Sequence, residues 1–160
     1  MPVPLINSAL DTIGSARDRN AGKLGVAMDR LANSFVGSWQ VRRTVVDHLN
    51  RAKHRFAGTA TVTETLISER GELQIGTATV EANRSYQLAM DDDGISVRFL
   101  TGLEFVRLGL APNQIAHHHC GSDMYRGKLL FRNTNFWIEF WRVNGPRKRY
   151  SSLTSYRRMG

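Results

Sequence analysis

The chain has 160 residues, 41% of them hydrophobic and 22% charged, which is the composition of one folded globular domain. No apolar run approaches the roughly 20 residues of a membrane-spanning helix. The first residues do not show the compact apolar stretch and small-residue cleavage site of a secretory signal peptide, so we do not expect a secreted protein. The single cysteine, Cys120, cannot form an intramolecular disulfide. We therefore expect an intracellular protein, located in the cytoplasm or, as the alternative, in mitochondria.

The net charge of +8 is unevenly distributed along the chain. Residues 1–123 carry equal numbers of basic and acidic side chains, whereas residues 124–160 carry nine Lys or Arg against one acid, Glu139. Such an excess favours an anionic partner: nucleic acid, an acidic protein, a membrane surface or a phosphorylated or carboxylated ligand. Basic strand faces also commonly do no more than face water.

Residues 1–32 are predicted to form a helical extension. Their apolar residues do not alternate as in a strand, and Leu24, Met28 and Leu31 have helical spacing. The basic side chains of this segment suggest an organelle-targeting sequence, but its three aspartates argue against one.

Residues 33–160 are predicted to form an all-β domain. In the first strand Trp39, Val41 and Val45 alternate with polar residues, and about ten such segments follow one another. Short turns separate them, and Arg70-Gly71 and Gly145-Pro146 are two of those we assign. None of the connections can hold a crossover helix, so neighbouring strands must be antiparallel. We predict an up-and-down antiparallel β-barrel of about eight to ten strands.

Several motifs carry a resemblance to a known family. Gly37-Ser38-Trp39 resembles the Gly-x-Trp signature that opens the first strand of lipocalins and other calycins. The segments His118–Tyr125 and Trp141–Tyr150 resemble an uncharacterised, mainly bacterial family of lipocalin-like proteins, classified as a domain of unknown function. The likeness covers about residues 34 to 158 and departs at Arg149, where an acid is expected. It implies a barrel closed at one end by Trp39, with Arg157 or Arg158 lying on the indole ring, and it implies no activity.

The preferred hypothesis is a non-catalytic barrel that binds a small, partly apolar, anionic ligand in its interior. Strand alternation predicts that several aromatic side chains and one imidazole point into the barrel and form the walls of the site. An arginine would supply the charge opposite to that of the ligand. The candidate wall residues are Trp39, Tyr86, Phe99, His118, Tyr125, Trp141 and Tyr150, and the candidate counter-charges are Arg142 and Arg157.

Two other functions are consistent with the sequence. Bases interleaved with aromatic rings suggest nucleic-acid or ribonucleoprotein binding in the basic C-terminal third, with a polyanion held at Arg147, Lys148 and Arg149. Alternatively, His118, Asp123 and Tyr125 could form an acid/base group inside the barrel. The same three residues could equally form a buried hydrogen-bond network.

Neither a metal nor a cofactor is expected. His117 and His119 point the same way on a strand and could share an ion, but no second close pair of ligands accompanies them. Nucleotide-binding loops and dinucleotide fingerprints are absent from the sequence. We interpret Cys120 as a small buried side chain rather than as a nucleophile.

Overall fold

The computed structural model describes residues 34–160, which form ten β-strands. In chain order the strands are β1 (Gly37–Asp47), β2 (Ala52–Val62), β3 (Leu66–Ile75), β4 (Ala78–Asp91), β5 (Gly94–Arg98), β6 (Glu104–Leu108), β7 (Asn113–Cys120), β8 (Asp123–Asn133), β9 (Phe136–Asn144) and β10 (Arg149–Arg158). The helical extension predicted for residues 1–32 lies outside the described residues. Between residues 34 and 160, no helix has the length and apolar character needed to cross a membrane.

The strands form a single antiparallel sheet in the order β6-β5-β4-β3-β2-β1-β10-β9-β8-β7. The first and last strands, β1 and β10, lie side by side in the middle of this order, where Trp39 is opposite Ala60 of β2 and Arg158 of β10. The sheet curls until its edge strands, β6 and β7, face each other. This nearly closed barrel confirms the predicted all-β antiparallel fold.

The barrel has a seam between β6 and β7, which are not joined by a ladder of backbone hydrogen bonds. Beside it, the side-chain amide of Gln114 donates to the carbonyl oxygens of Gly109 (2.6 Å) and Ala111 (2.9 Å) and accepts from the Gly109 amide (2.8 Å). Across it, the rings of Phe105 and His118 pack with centroids 4.7 Å apart. Side chains therefore take the place of main-chain pairing along this line.

Glycines let two strands approach closely on the opposite side of the barrel. The turn assigned to Arg70-Gly71 is wrong, because Gly71 lies inside β3, opposite Gly58 of β2. A Cβ on Gly71 would lie 2.3 Å from the carbonyl oxygen of Ala57, and one on Gly58 would lie 2.2 Å from that of Arg70. Only glycine fits at either position. The turn that connects β3 to β4 lies instead at Gly76, which has a φ of +61°.

Aromatic side chains fill the end of the barrel that holds Trp39. The Trp137 ring stacks on the Tyr156 ring with centroids 3.6 Å apart. The rings of Phe35 and Phe131 pack around Trp137 at 5.4 Å and 5.5 Å. This end is consequently a closed apolar plug, and any space for a ligand must lie further along the barrel.

Trp39 and Arg158 form the contact expected of such a plug. The indole is 1% exposed, and the guanidinium carbon of Arg158 lies 4.4 Å from its ring centroid. The same guanidinium donates to the carbonyl oxygens of Ser34, Val36 (2.9 Å) and Thr134 (2.9 Å). The prediction of a buried Trp39 under an arginine of the last strand is confirmed, and that arginine is Arg158.

Replacing Trp39→Ala should destabilise the barrel by about 3 to 5 kcal/mol, because a fully buried indole is lost and a cavity remains. Urea unfolding followed by circular dichroism measures the change. The exposed Gln40→Ala on the same strand is the matched control and should leave the midpoint nearly unchanged. Equal midpoints for both variants would contradict the role assigned to the plug.

Candidate functional site

Five polar side chains meet inside the barrel, and we call them the interior cluster. Its members are Arg43 of β1, Glu69 of β3, Arg84 of β4, Glu139 of β9 and Tyr156 of β10. Glu69, Glu139 and Tyr156 are almost completely buried, and strand alternation directs all five inward. The interior cluster was not predicted from the sequence, although a charge at an inward position, such as Arg43 between Val41 and Val45, is a signal of it.

Glu69 joins two guanidinium groups from different strands. Arg84 binds both of its carboxylate oxygens, through Nε (2.7 Å) and Nη2 (2.8 Å), and Arg43 binds them through Nη2 (3.1 and 2.8 Å). Burial alone would raise the pKa of Glu69, but the Arg84 and Arg43 guanidiniums outweigh it and hold the pKa at about 2. Glu69 is therefore ionised at neutral pH.

Tyr156 connects the two carboxyl groups of the cluster. Its hydroxyl oxygen lies 2.5 Å from Oε1 of Glu69 and 2.5 Å from Oε1 of Glu139. A phenol has one proton and can donate to only one of these oxygens, so the second short contact requires a proton on a carboxyl group. Because Glu69 is ionised, that proton belongs to Glu139.

The surroundings of Glu139 favour its neutral form. Burial raises its pKa to about 7; the Arg84 and Arg43 guanidiniums oppose the rise, and Glu69 adds to it. The remaining oxygen, Oε2, accepts a hydrogen bond from Nε1 of Trp141 (2.9 Å). A protonated Glu139 thus has a partner for each oxygen, as a buried polar group requires.

A cavity of about 400 Å³ lies beside the cluster, between β1, β2, β3 and β4. Arg43, Glu69 and Arg84 lie on its polar side, together with His54. Its apolar walls are Val45, Phe56, Leu73, Ile75 and Ala82. The cavity therefore combines a charged side with apolar walls.

Two polar groups of this cavity lack partners. Arg43 donates through Nε to Thr154 (2.9 Å) and through Nη2 to Glu69, but no residue between 34 and 160 accepts from its Nη1. Likewise, Nδ1 of His54 is buried without a hydrogen-bond partner among the described residues. Unpaired polar groups at a cavity wall are available to a ligand.

A larger hollow of about 690 Å³ is lined mainly by side chains that point away from the barrel interior, among them Arg42, Arg55 and Leu153. Arg43 and Phe56 line this hollow as well as the smaller cavity, but Glu69, Arg84 and His54 line the smaller cavity alone. We therefore take the smaller cavity as the candidate site.

Most of the predicted wall residues do meet inside the barrel, but as packed core. Phe105 contacts the rings of Tyr86 (5.7 Å), Phe99 (5.0 Å), His118 (4.7 Å) and Trp141 (5.8 Å). Tyr125, which packs on His118 at 5.7 Å, and Tyr150 are also buried. None of the predicted wall residues is among those that line the cavity, and Trp39 belongs to the plug.

The two candidate counter-charges point outward, which corrects the inward direction inferred from alternation. Arg142 and Arg157 are exposed, and Arg157 lies over the Phe136 ring at 4.7 Å. For Arg142, both faces of β9 are apolar, so the pattern did not reveal which face is buried. On β10, Tyr150 and Tyr156 face inward, and Arg157, the next residue after Tyr156, therefore faces outward. The interior charge is supplied instead by Arg43 and Arg84.

Asp123 and His118 are not joined by a hydrogen bond within the described chain. Asp123 pairs with Nζ of Lys148 (2.8 Å), which also donates to the Tyr125 hydroxyl (3.3 Å). Burial lowers the pKa of His118, which is neutral at pH 7. The pair of Lys148 with Asp123 connects the β7–β8 hairpin to the β9–β10 hairpin. Of the three residues predicted to hold a polyanion, Arg147 and Arg149 are the exposed ones.

The two motifs that carried the family resemblance meet at this point. A Cβ on Gly145 would lie 1.8 Å from Oδ1 of Asp123, so the close approach of the two hairpins requires glycine. Lys148 pairs with Asp123. It therefore has an acidic partner even though position 149 is an arginine and not the acid expected from the family pattern.

The histidine run is not arranged as a metal site. No group of three His, Cys, Asp or Glu side chains between residues 34 and 160 is placed to hold a metal ion. The interpretation of Cys120 as a buried side chain is wrong, because it is exposed at the end of β7, beside the turn.

Glu139→Gln should remove a pH dependence of stability. Because the pKa of Glu139 is about 7 in the folded chain and near 4.5 when unfolded, the folded state binds more protons between these values. Its contribution to the free energy of unfolding therefore falls as pH rises from 4.5 to 7, by up to about 1.4 kcal/mol per pH unit. Thermal unfolding of both proteins from acidic to slightly alkaline pH measures the difference.

Glu69→Gln is the matched control for that change. It leaves two buried guanidiniums without a carboxylate and should destabilise the protein by about 3 to 5 kcal/mol at neutral pH. If Glu139→Gln is equally damaging, or leaves the pH profile unchanged, then Glu139 is not the protonated member.

Comparisons with known proteins agree with this architecture. No match was found among curated proteins. The S-type phycobiliprotein lyase CPES from Guillardia theta has a similar structure, with a TM-score of 0.58 and 9% identity over 85% of this chain and 97% of that one. A protein of unknown function from the DUF3598 family of Nostoc punctiforme PCC 73102 gives a TM-score of 0.51 and 9% identity, covering 80% of this chain and 49% of that one. At these identities the likeness supports the barrel fold alone.

The sequence itself matches one family model. Residues 35–158, which include all ten strands, match DUF6314, a family of unknown function. The match covers both hairpin motifs and the Gly-x-Trp segment, as the resemblance implied. The chain is thus a member of the DUF6314 family.

Proposed function

We propose that this protein is a non-catalytic, calycin-like barrel that binds a small, partly apolar, anionic ligand in its interior cavity. The observation that carries the proposal is Nη1 of Arg43, a guanidinium nitrogen without a partner among the described residues, at the wall of an otherwise largely apolar cavity. A carboxylate or similar acceptor would supply the missing hydrogen bond, and hydrogen bonds to charged groups are among the strongest in proteins.

The charge of the interior favours an anion over a neutral ligand. Two guanidiniums, Arg43 and Arg84, face one ionised carboxylate, Glu69, while Glu139 is neutral below about pH 7. The interior therefore carries an excess positive charge in a medium of low polarity, where charges interact strongly. A single negative charge on the ligand would balance it.

The remaining walls favour an apolar body on the ligand. Phe56, Leu73 and Ile75 lie on the side of the cavity away from the aromatic plug, towards the beginning of β2 and the end of β3. A volume of about 400 Å³ is at the small end of the range for small-molecule sites. These properties together describe a compact amphiphile with one anionic group.

Arg43→Gln should weaken binding of an apolar monoanion, for which 8-anilinonaphthalene-1-sulfonate is a fluorescent probe. We expect roughly a tenfold or greater loss of affinity, since a charge-assisted hydrogen bond of about 1.5 to 3 kcal/mol is removed. Arg42→Gln is the matched control, because Arg42 lines only the outer hollow, whereas Arg43 lines both the outer hollow and the interior cavity. Fluorescence titration measures both, and native mass spectrometry of the purified protein reports any retained ligand.

The outcomes separate the two hollows. Loss of probe affinity in Arg42→Gln, alone or together with Arg43→Gln, would place the ligand in the outer hollow and contradict the proposal. Because Arg43 also binds Glu69, His54→Leu provides a second variant that alters the cavity without touching the interior cluster. Near-ultraviolet circular dichroism confirms that each variant keeps its tertiary packing.

A further inference from the structure

The outer surface of β7, β8, β9 and β10 carries basic side chains and no acidic one. We call it the basic face, and its cations are Arg126, Lys128, Arg132, Arg142, Arg149 and Arg157. The two acids in these strands are used elsewhere, because Asp123 pairs with Lys148 and Glu139 lies in the interior cluster. The excess charge of the last third of the chain is thereby concentrated on one side of the barrel.

Most of these cations are unpaired. The side chains of Arg126, Lys128, Arg132, Arg142 and Arg149 make no hydrogen bond, ion pair or ring contact with any residue from 34 to 160. Arg157 alone has a described contact, with the Phe136 ring. Unpaired like charges on adjacent strands repel one another, and an anionic partner would relieve that repulsion.

Apolar side chains lie in the same rows as the cations. The strand register places Lys128 between Ile115 and Phe140, and Phe140 next to Leu153. Ile115, Phe140 and Leu153 are 48%, 37% and 52% exposed. Because neighbouring strands are about 4.8 Å apart, Phe140 and Leu153 are adjacent, and Lys128 separates them from Ile115. We call this row the apolar row. A second row, with Arg126 beside Arg142, runs parallel to it.

We propose that the basic face docks this protein on the surface of a membrane that contains anionic phospholipids. The cations match the negative headgroups, and the exposed apolar row reaches the boundary of the acyl chains, a combination typical of interfacial binding. The apolar residues also favour lipid over nucleic acid. Two of the three are aliphatic and offer no ring on which a base could stack.

The outer surface of β1 to β4 differs and provides a control. Arg42, Arg55 and Arg70 are exposed there, but they share that side of the barrel with Glu72 and Glu81, which are opposite each other on β3 and β4. Removing three arginines from this surface changes the net charge as much as removing three cations from the basic face. Any difference between the two triple variants therefore reports position rather than total charge.

The test is co-sedimentation of the full chain with vesicles of phosphatidylcholine alone or mixed with phosphatidylglycerol, at low and high NaCl. We expect binding only to the anionic vesicles, decreasing as salt rises. The triple variant Arg126→Gln, Lys128→Gln, Arg142→Gln should bind on the order of a hundredfold more weakly, at about fivefold per basic residue. The triple variant Arg42→Gln, Arg55→Gln, Arg70→Gln should bind nearly as the parent does.

A second variant tests the apolar row. Leu153→Ser keeps every charge and should reduce the part of vesicle binding that persists at high salt. Equal losses in both triple variants, or binding to phosphatidylcholine alone, would overturn the proposal. So would binding of a single-stranded RNA oligonucleotide in place of the vesicles. All variants keep Arg43 and the interior cavity. Binding of 8-anilinonaphthalene-1-sulfonate inside the barrel can therefore be measured independently of vesicle binding.

Discussion

The ion pairs of Glu69 are the interaction on which the rest of the interior depends. Two guanidinium groups lie inside an apolar barrel, where unpaired charges are very unfavourable, and one carboxylate binds both. That arrangement leaves the second acid, Glu139, without a cation of its own at hydrogen-bond distance, since its nearest approach to Arg84 is 3.9 Å. Glu139 therefore keeps its proton, and the phenol of Tyr156 can be shared between the two carboxyl groups.

The plug formed by Trp39 and an arginine of the last strand was implied by the Gly-x-Trp resemblance, and the short connections predicted the antiparallel order. Alternation along the strands predicted the all-β barrel. It failed where both faces of a strand are apolar. In β9, Trp137 and Trp141 face inward while Ile138 and Phe140 face outward, so the direction of Arg142 was inferred wrongly. It failed again at Gly71, where a glycine that permits close strand contact has the same local signature as a turn.

The interior cluster was beyond local patterns for a different reason. Arg43 and Glu69 are 26 residues apart, and Tyr156 is 87 residues from Glu69. Each of these residues, viewed in its own strand, only interrupts an apolar face. Their role becomes visible only in three dimensions, where five strands bring these side chains together and their charges compensate one another. Four of the predicted walls, by contrast, are packed around Phe105 as part of the core.

The seam between β6 and β7 has a mechanical consequence for the barrel. Elsewhere in the sheet, moving two neighbouring strands apart breaks a ladder of backbone hydrogen bonds, but here the edges are held by side-chain contacts such as the packing of Phe105 on His118. Widening along this line therefore needs less energy than widening anywhere else around the wall. The circumference of the barrel can therefore change at the seam, while the ion pairs of Glu69 with Arg43 and Arg84, which lie on other strands, stay intact.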